Sequence, residues 1–239
     1  MTKKKIIEAT HKEEHLRSSD FITDIVIGMS DGLTVPFALA AGLSGAVQSN
    51  SVVITAGIAE IVAGSIAMGL GGYLAGKTEQ EHYQSELLRE YEEVGNVPEK
   101  EKEEVKLVFA QYGLNGPTQN IIANELAKDK DKWVDFMMKY ELGLQKPDVY
   151  RARNSAATIG ISYIIGGLIP LTAYFFTQTP YQGLFISAIL TIICLFLFGY
   201  FKSKVIGQPP LKGALKVTLI GITAATAAFM VAKAFNNLF

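Results

Sequence analysis

The chain alternates between long apolar runs and one long polar stretch. Residues 21–76 and 154–236 are mostly apolar, whereas residues 77–153 hold most of the charge. The apolar parts divide into runs at roughly 21–46, 52–76, 155–177, 181–201 and 213–236. Each is long enough to cross a hydrocarbon layer about 30 Å thick as a helix. The breaks are Gln48-Ser49-Asn50-Ser51, the polar stretch, Gln178-Thr179-Pro180, and a segment holding Lys202, Lys204, Pro209, Pro210 and Lys212. This pattern predicts an all-α membrane protein with five transmembrane helices and a helical insertion between helices two and three. The expected organisation is a tail at 1–20, helices one and two at 21–76, an insertion at 77–153, and helices three to five at 154–239.

Within the insertion, residues 77–95 continue the second span with no breaker, so span two is expected to run on as one long helix. Gly95-Asn96-Val97-Pro98 stops it and starts another. Further helices are expected at 99–112, 118–128 and 130–143, separated by Gly113 and by Gly116-Pro117.

Composition changes this picture little. The 239 residues are 49% hydrophobic with a net charge of −1, but both averages hide the segregation. The single cysteine, Cys194, lies in an apolar run, which rules out an intrachain disulfide and a cysteine-based zinc site. The apolar run after the lysine-rich N-terminus is too long for a signal-peptide core, so residues 1–20 read as a retained tail.

Charge placement orients the spans. Lys3, Lys4, Lys5, Lys12 and Arg17 precede span one, Lys77 follows span two, and Arg151 and Arg153 precede span three. Lys202, Lys204, Lys212 and Lys216 surround the fourth break, while the other two loops carry no Lys or Arg. The positive residues therefore fall on one side, expected to be the cytoplasm. The N-terminus and residues 77–153 are then inside and the C-terminus outside, with Lys233 reaching back to that interface. Span two repeats Ala63, Ala67, Gly71 and Ala75 at every fourth residue, and Gly72 and Gly76 likewise, the spacing of tightly packed membrane helices.

Candidate chemistry starts with acids where none is cheap. If span one enters the bilayer near Phe21, Asp31 lies about 15 Å deep, where a carboxylate costs roughly 2.5–3.5 kcal/mol. Such residues mark ion or proton paths. Asp20, Asp24 and Asp31 fall within about 40° of one another on an ideal helix, which makes a ladder from the mouth to the midplane. Pro36 removes the helical partner of the Gly32 carbonyl. Span two adds Glu60 and Met68 on one half of the helix. A thioether beside carboxylates favours transition ions over magnesium or calcium. The competing reading is a polar clamp satisfied by the hydroxyls of Ser30, Thr34 or Ser65.

In the insertion, Glu79, His82, Glu86, Glu90 and Glu93 form one stripe that needs a compensating cation. Glu101 and Glu104 follow at i,i+3, and Met137 and Glu141 lie one turn apart. Short helices carrying such pairs resemble a carboxylate metal site. Glu79-x-x-His82 has a di-iron-like spacing in a single copy. A solvated acidic face is the alternative.

Two segments carry a closer likeness. Asp24-Ile-Val-Ile-Gly-Met-Ser-Asp31-Gly-Leu-Thr-Val-Pro-Phe-Ala-Leu-Ala-Ala-Gly-Leu-Ser-Gly-Ala46 and Glu60-Ile-Val-Ala-Gly-Ser-Ile-Ala-Met68-Gly-Leu-Gly-Gly-Tyr-Leu-Ala resemble the vacuolar iron transporter family, and the likeness runs essentially full length. It implies a homodimer in a lipid bilayer that exchanges cytosolic Fe2+ for protons along a path at the subunit interface. It further implies pore ligands at Asp31 and Met68 with Glu60 deeper, and metal ligands at Glu90, Glu93, Glu101, Glu104, Met137 and Glu141. Asp20, Asp24, Asp31 and Glu60 are the expected ion and proton path. Iron is then substrate, with Mn2+ as an alternative cargo. No organic cofactor, no nucleic-acid partner and no enzymatic activity are expected. Two further alternatives are a membrane-anchored iron store or sensor and an intramembrane aspartyl protease. The second lacks the Gly-x-Gly-Asp context at Asp31 and Glu60. The short tails point to a bacterial inner membrane rather than a vacuolar one.

Overall fold

The computed structural model describes residues 20–236, and side chains to residue 234. The N-terminal tail, with its basic residues and all but the last residue of the expected 1–20 segment, lies outside the described residues. Among the described residues eight α-helices follow one another: α1 (Asp20–Ser44), α2 (Asn50–Asn96), α3 (Pro98–Gln111), α4 (Gly116–Leu126), α5 (Lys130–Phe136), α6 (Arg151–Phe175), α7 (Pro180–Val205) and α8 (Pro210–Asn236). A π-helical turn, Met137–Glu141, extends α5. Helices α1, α2, α6, α7 and α8 are long and apolar enough to span a membrane. The described residues form no strand.

Local chemistry sets most boundaries. Helix α2 does run unbroken for 47 residues. Helix α4 starts two residues earlier than its pattern suggests, because the Asn115 side chain accepts from Thr118 N at 3.0 Å and Pro117 sits in the first turn. The expected α-helix over 130–143 is corrected: from Met137 it widens to a π turn, with Leu142 N–H donating to the Met137 carbonyl at 3.1 Å. Helix α7 ends in a Schellman cap. Gly207 has φ 71°, Gln208 N–H donates to the Ser203 carbonyl at 2.8 Å, and Gly207 N–H to Lys204 at 3.2 Å.

The chain divides into two compact units, one comprising residues up to Gly72 and from Asn154 onward, the other Tyr73–Arg153. In the first, α1 and α6 touch backbone to backbone. A Cβ on Gly28 would strike the Ile159 carbonyl oxygen, and one on Gly32 the Tyr163 carbonyl oxygen. Leu33, Phe37, Ala40, Val53, Ile61, Leu171 and Tyr174 are buried. Asn50 Nδ2 donates to the Thr177 carbonyl at 2.6 Å and ties α2 to the end of α6. The Ala63, Ala67, Gly71, Ala75 row does not contribute to this packing. All four are exposed, and a Cβ on Gly71 would meet nothing within 4 Å. The Gly72 and Gly76 pair does pack tightly within the chain, as its spacing predicts, and so do Gly57, Gly64 and Gly69.

The second unit has its own core of Val94, Val105, Ala123, Trp133, Val134, Met137 and Met138. Its helices are short and strongly charged, and this core is what holds them.

Candidate metal and ion sites

In the first unit, the acids of α1 sit in graded surroundings. Asp20 is exposed, Asp24 is only 3% exposed, and Asp31 is half-buried. Pro36 lies buried inside α1, which continues to Ser44. On α2, Glu60 and Met68 are both half-buried.

Two of the three hydroxyls named as a possible clamp, those of Thr34 and Ser65, are engaged along their own helices. Thr34 Oγ1 donates to the Ser30 carbonyl at 2.8 Å, and Ser65 Oγ to the Val62 carbonyl at 3.0 Å. A residue that pattern reasoning missed meets Glu60 instead. The Tyr163 hydroxyl, from α6, donates to Glu60 Oε1. Tyr163 is 2% exposed. Its backbone packs on Gly32, next to Asp31, and its ring lies over Gly64. The lone tyrosine within Ile-Ser-Tyr-Ile-Ile was the available signal. Glu60 Oε2 is buried without a hydrogen-bond partner, an acceptor open to a cation or a proton.

In the second unit, α2, α3 and the π turn bring Glu90, Glu101 and Glu141 together, one carboxylate oxygen from each lying within 4.8 Å of the others. Glu90 and Glu101 are 2% and 0% exposed. Glu90 Oε2 and both oxygens of Glu101 are buried with no hydrogen-bond partner. Burial, then the charge of Glu141 and Glu93, pushes Glu90 up to about 7. Burial, then Glu104 and Glu90, pushes Glu101 up to about 7. Glu141, the exposed member of the three, is raised by partial desolvation and by Glu104 and Glu93. Three carboxylates this close do not all ionise without a cation or a proton among them.

The other candidates surround this triad. Arg89 Nη2 lies 2.6 Å from Glu86 and its Nε 3.8 Å from Glu93, while Lys100 lies 3.1 Å from Glu104. These are the cations the acidic stripe required. Met137, fully buried, belongs to the apolar core of the unit. Glu79 and His82 are exposed, and His82 Nδ1 faces Glu86 at 3.9 Å. Neither joins the triad.

Spanning helices and a separate carboxylate cluster define a polytopic α-helical membrane protein. Comparison with known proteins places it further. The VIT family profile matches residues 22–233. "Vacuolar iron transporter 1" of Tulipa gesneriana is 49% identical over 228 residues, covering 95% of this chain and 92% of that protein. "Vacuolar iron transporter 1" of Arabidopsis thaliana is 49% identical over 227 residues, covering 95% and 91%. "Protein CCC1" of Saccharomyces cerevisiae is 38% identical over 220 residues, covering 89% and 68%. The chain belongs to the VIT family.

Proposed function

We propose that this protein exports Fe2+ from the cytosol in exchange for protons. The observation that carries this reading is the set of unpartnered carboxylate oxygens: Glu90 and Glu101 in one unit and Glu60 in the other, in a chain whose relatives are named iron transporters. An anion buried without a donor favours either a proton or a divalent ion. Competition between the two at one set of carboxylates is enough to couple their fluxes.

In this reading Tyr73–Arg153 is cytoplasmic and gathers the metal on Glu90, Glu101 and Glu141, with Glu93, Glu104 and Met137 beside them. The ion passes Asp20 and Asp24 to Asp31 and Met68, and Glu60 lies deeper. Tyr163 holds one oxygen of Glu60 and leaves the other for the proton or the ion. The lysines around Lys202–Lys216 support the orientation by the positive-inside rule. The exposed Ala63, Ala67, Gly71 row supports a homodimer packed through α2. Direction is out of the cytosol whether the membrane bounds a bacterial cell or a vacuole.

Flux into sealed proteoliposomes tests it. Fe2+ uptake driven by a pH gradient is expected for the unaltered chain and is lost in Asp31→Asn, while the protein stays folded by size-exclusion chromatography. Undiminished uptake by Asp31→Asn overturns the path. A second cargo, Mn2+, is favoured by the all-oxygen triad, because carboxylates alone separate the two ions little. Competition between Fe2+ and Mn2+ in the same assay ranks them.

A further inference from the structure

A cavity unrelated to the carboxylates lies at the ends of α7 and α8. It encloses about 450 Å³ and is lined by Lys202, Lys212 and Lys216 together with Ile206, Val217 and Ile220. The close crossing of the two helices builds its floor. Ser203 Oγ occupies the space that a Cβ on Gly213 would take, and a Cβ on Gly199 would come within 2.9 Å of the Ala214 Cα. The Gly207 cap then turns the chain back within four residues, Ile206–Pro209. That turn sets Lys202, one residue before Ser203, beside Lys212 and Lys216 at the start of α8.

Among the described residues these lysines have no carboxylate partner. No Asp or Glu occurs from residue 149 to the end of the chain. Charge orientation of the spans accounts for lysines near this end, but not for three of them around one cavity. Lys204, equally near in sequence, is not part of its lining. Three like charges at one opening attract an anion. On the other side, Val217 and Ile220 carry the cavity along the apolar part of α8, and Ile220 is 57% exposed.

We propose that this cavity binds the phosphate headgroup of an anionic phospholipid, with Lys202, Lys212 and Lys216 on the phosphate and the acyl chains along Val217 and Ile220. Basic pockets between membrane helices take such headgroups. The apolar continuation is what favours a lipid over a free phosphate, which needs only the lysines. The inference does not depend on which ion the protein carries.

Native mass spectrometry of the full chain in detergent tests it, with phosphatidylglycerol as probe. The unaltered protein is expected to retain a single phosphatidylglycerol per chain in preference to phosphatidylcholine with the same acyl chains. Each lysine removed weakens retention roughly five-fold, so K202Q/K212Q/K216Q loses on the order of 100-fold, while K204Q behaves as the unaltered chain. If the triple variant is not monodisperse, K212Q and K216Q singly give the same reading at five-fold each. Unchanged retention in these variants overturns the proposal, as does equal retention of phosphatidylcholine. Displacement by glycerol 3-phosphate at concentrations matching the lipid's also overturns it and makes the cavity a soluble-anion site.

Discussion

The Tyr163 hydroxyl donates to the Glu60 carboxylate and joins α6 to α2 at the level where Gly32 of α1 packs on the Tyr163 backbone. One buried tyrosine thus touches both helices that carry the deep acids. Replacing it with Phe leaves the packing and removes the donor, so both oxygens of Glu60 are then without a partner. The expected cost is about 1 kcal/mol of stability in detergent. The pH profile of transport is expected to move as well, because the hydroxyl engages one of the two Glu60 oxygens. Thermal unfolding and proton-driven flux of Tyr163→Phe check the two effects, and an unchanged profile removes Tyr163 from the path.

Gly32 has no room for a side chain. A Cβ there would come within 2.9 Å of the Tyr163 Cα, and backbone does not yield as a flexible side chain does. Gly32→Ala is expected to destabilise by about 1–3 kcal/mol. Gly116→Ala, outside the α2 row, meets no atom within 4 Å and is expected to cost the folded chain little. Melting temperatures of the two variants make the comparison.

Metal binding to the triad is expected to be steeply pH-dependent near neutrality. Glu90 and Glu101, pushed up to about 7, must lose their protons to become ligands. Affinity therefore falls as pH drops through about 7, and calorimetric titration with Mn2+ on either side of that value measures it.

The same groups set the stability of the metal-free protein, with the opposite sense. Their folded pKa values lie above the unfolded ones, so their contribution is fully present below the unfolded carboxylate range. It is lost as pH rises through about 7. Without metal, the melting temperature is expected to fall across that window, and added divalent ion to restore it.

Glu101→Gln separates the two demands on the triad. It removes a buried charge that has no donor while keeping the shape. The metal-free protein is expected to gain stability above about pH 7, and the rise in melting temperature on adding metal to shrink. A stabilising effect of metal equal to that in the unaltered chain would remove Glu101 from the metal site.

The spans were legible because apolar length is a coarse signal, and α2 continues through 77–96 because nothing in that stretch breaks a helix. The acidic pairs were legible too, but not their roles. Glu90 and Glu93, like Glu101 and Glu104, look equivalent by spacing. In the structure Glu90 and Glu101 face inward, whereas Glu93 and Glu104 reach Arg89 and Lys100. Which member of each pair turns inward depends on how α2, α3 and the π turn pack, and the π turn was itself hidden in an ordinary helical pattern. Tyr163 was missed because its partner is 103 residues away, and a tyrosine in an apolar helix looks like filler. The Ala63 row was legible as a close-packing signal, but its spacing does not say against what, and within the chain it stays exposed.

Under the homodimer proposed above, that row has a consequence for inheritance. In a two-fold dimer joined along α2, each of these small residues lies near its own copy, so a bulky substitution at Ala67 is introduced twice at one seam. A cell carrying one altered and one intact gene would build three kinds of pair. The mixed pair would meet half the obstruction of the doubly altered one, so the severity of such a change would depend on gene dosage.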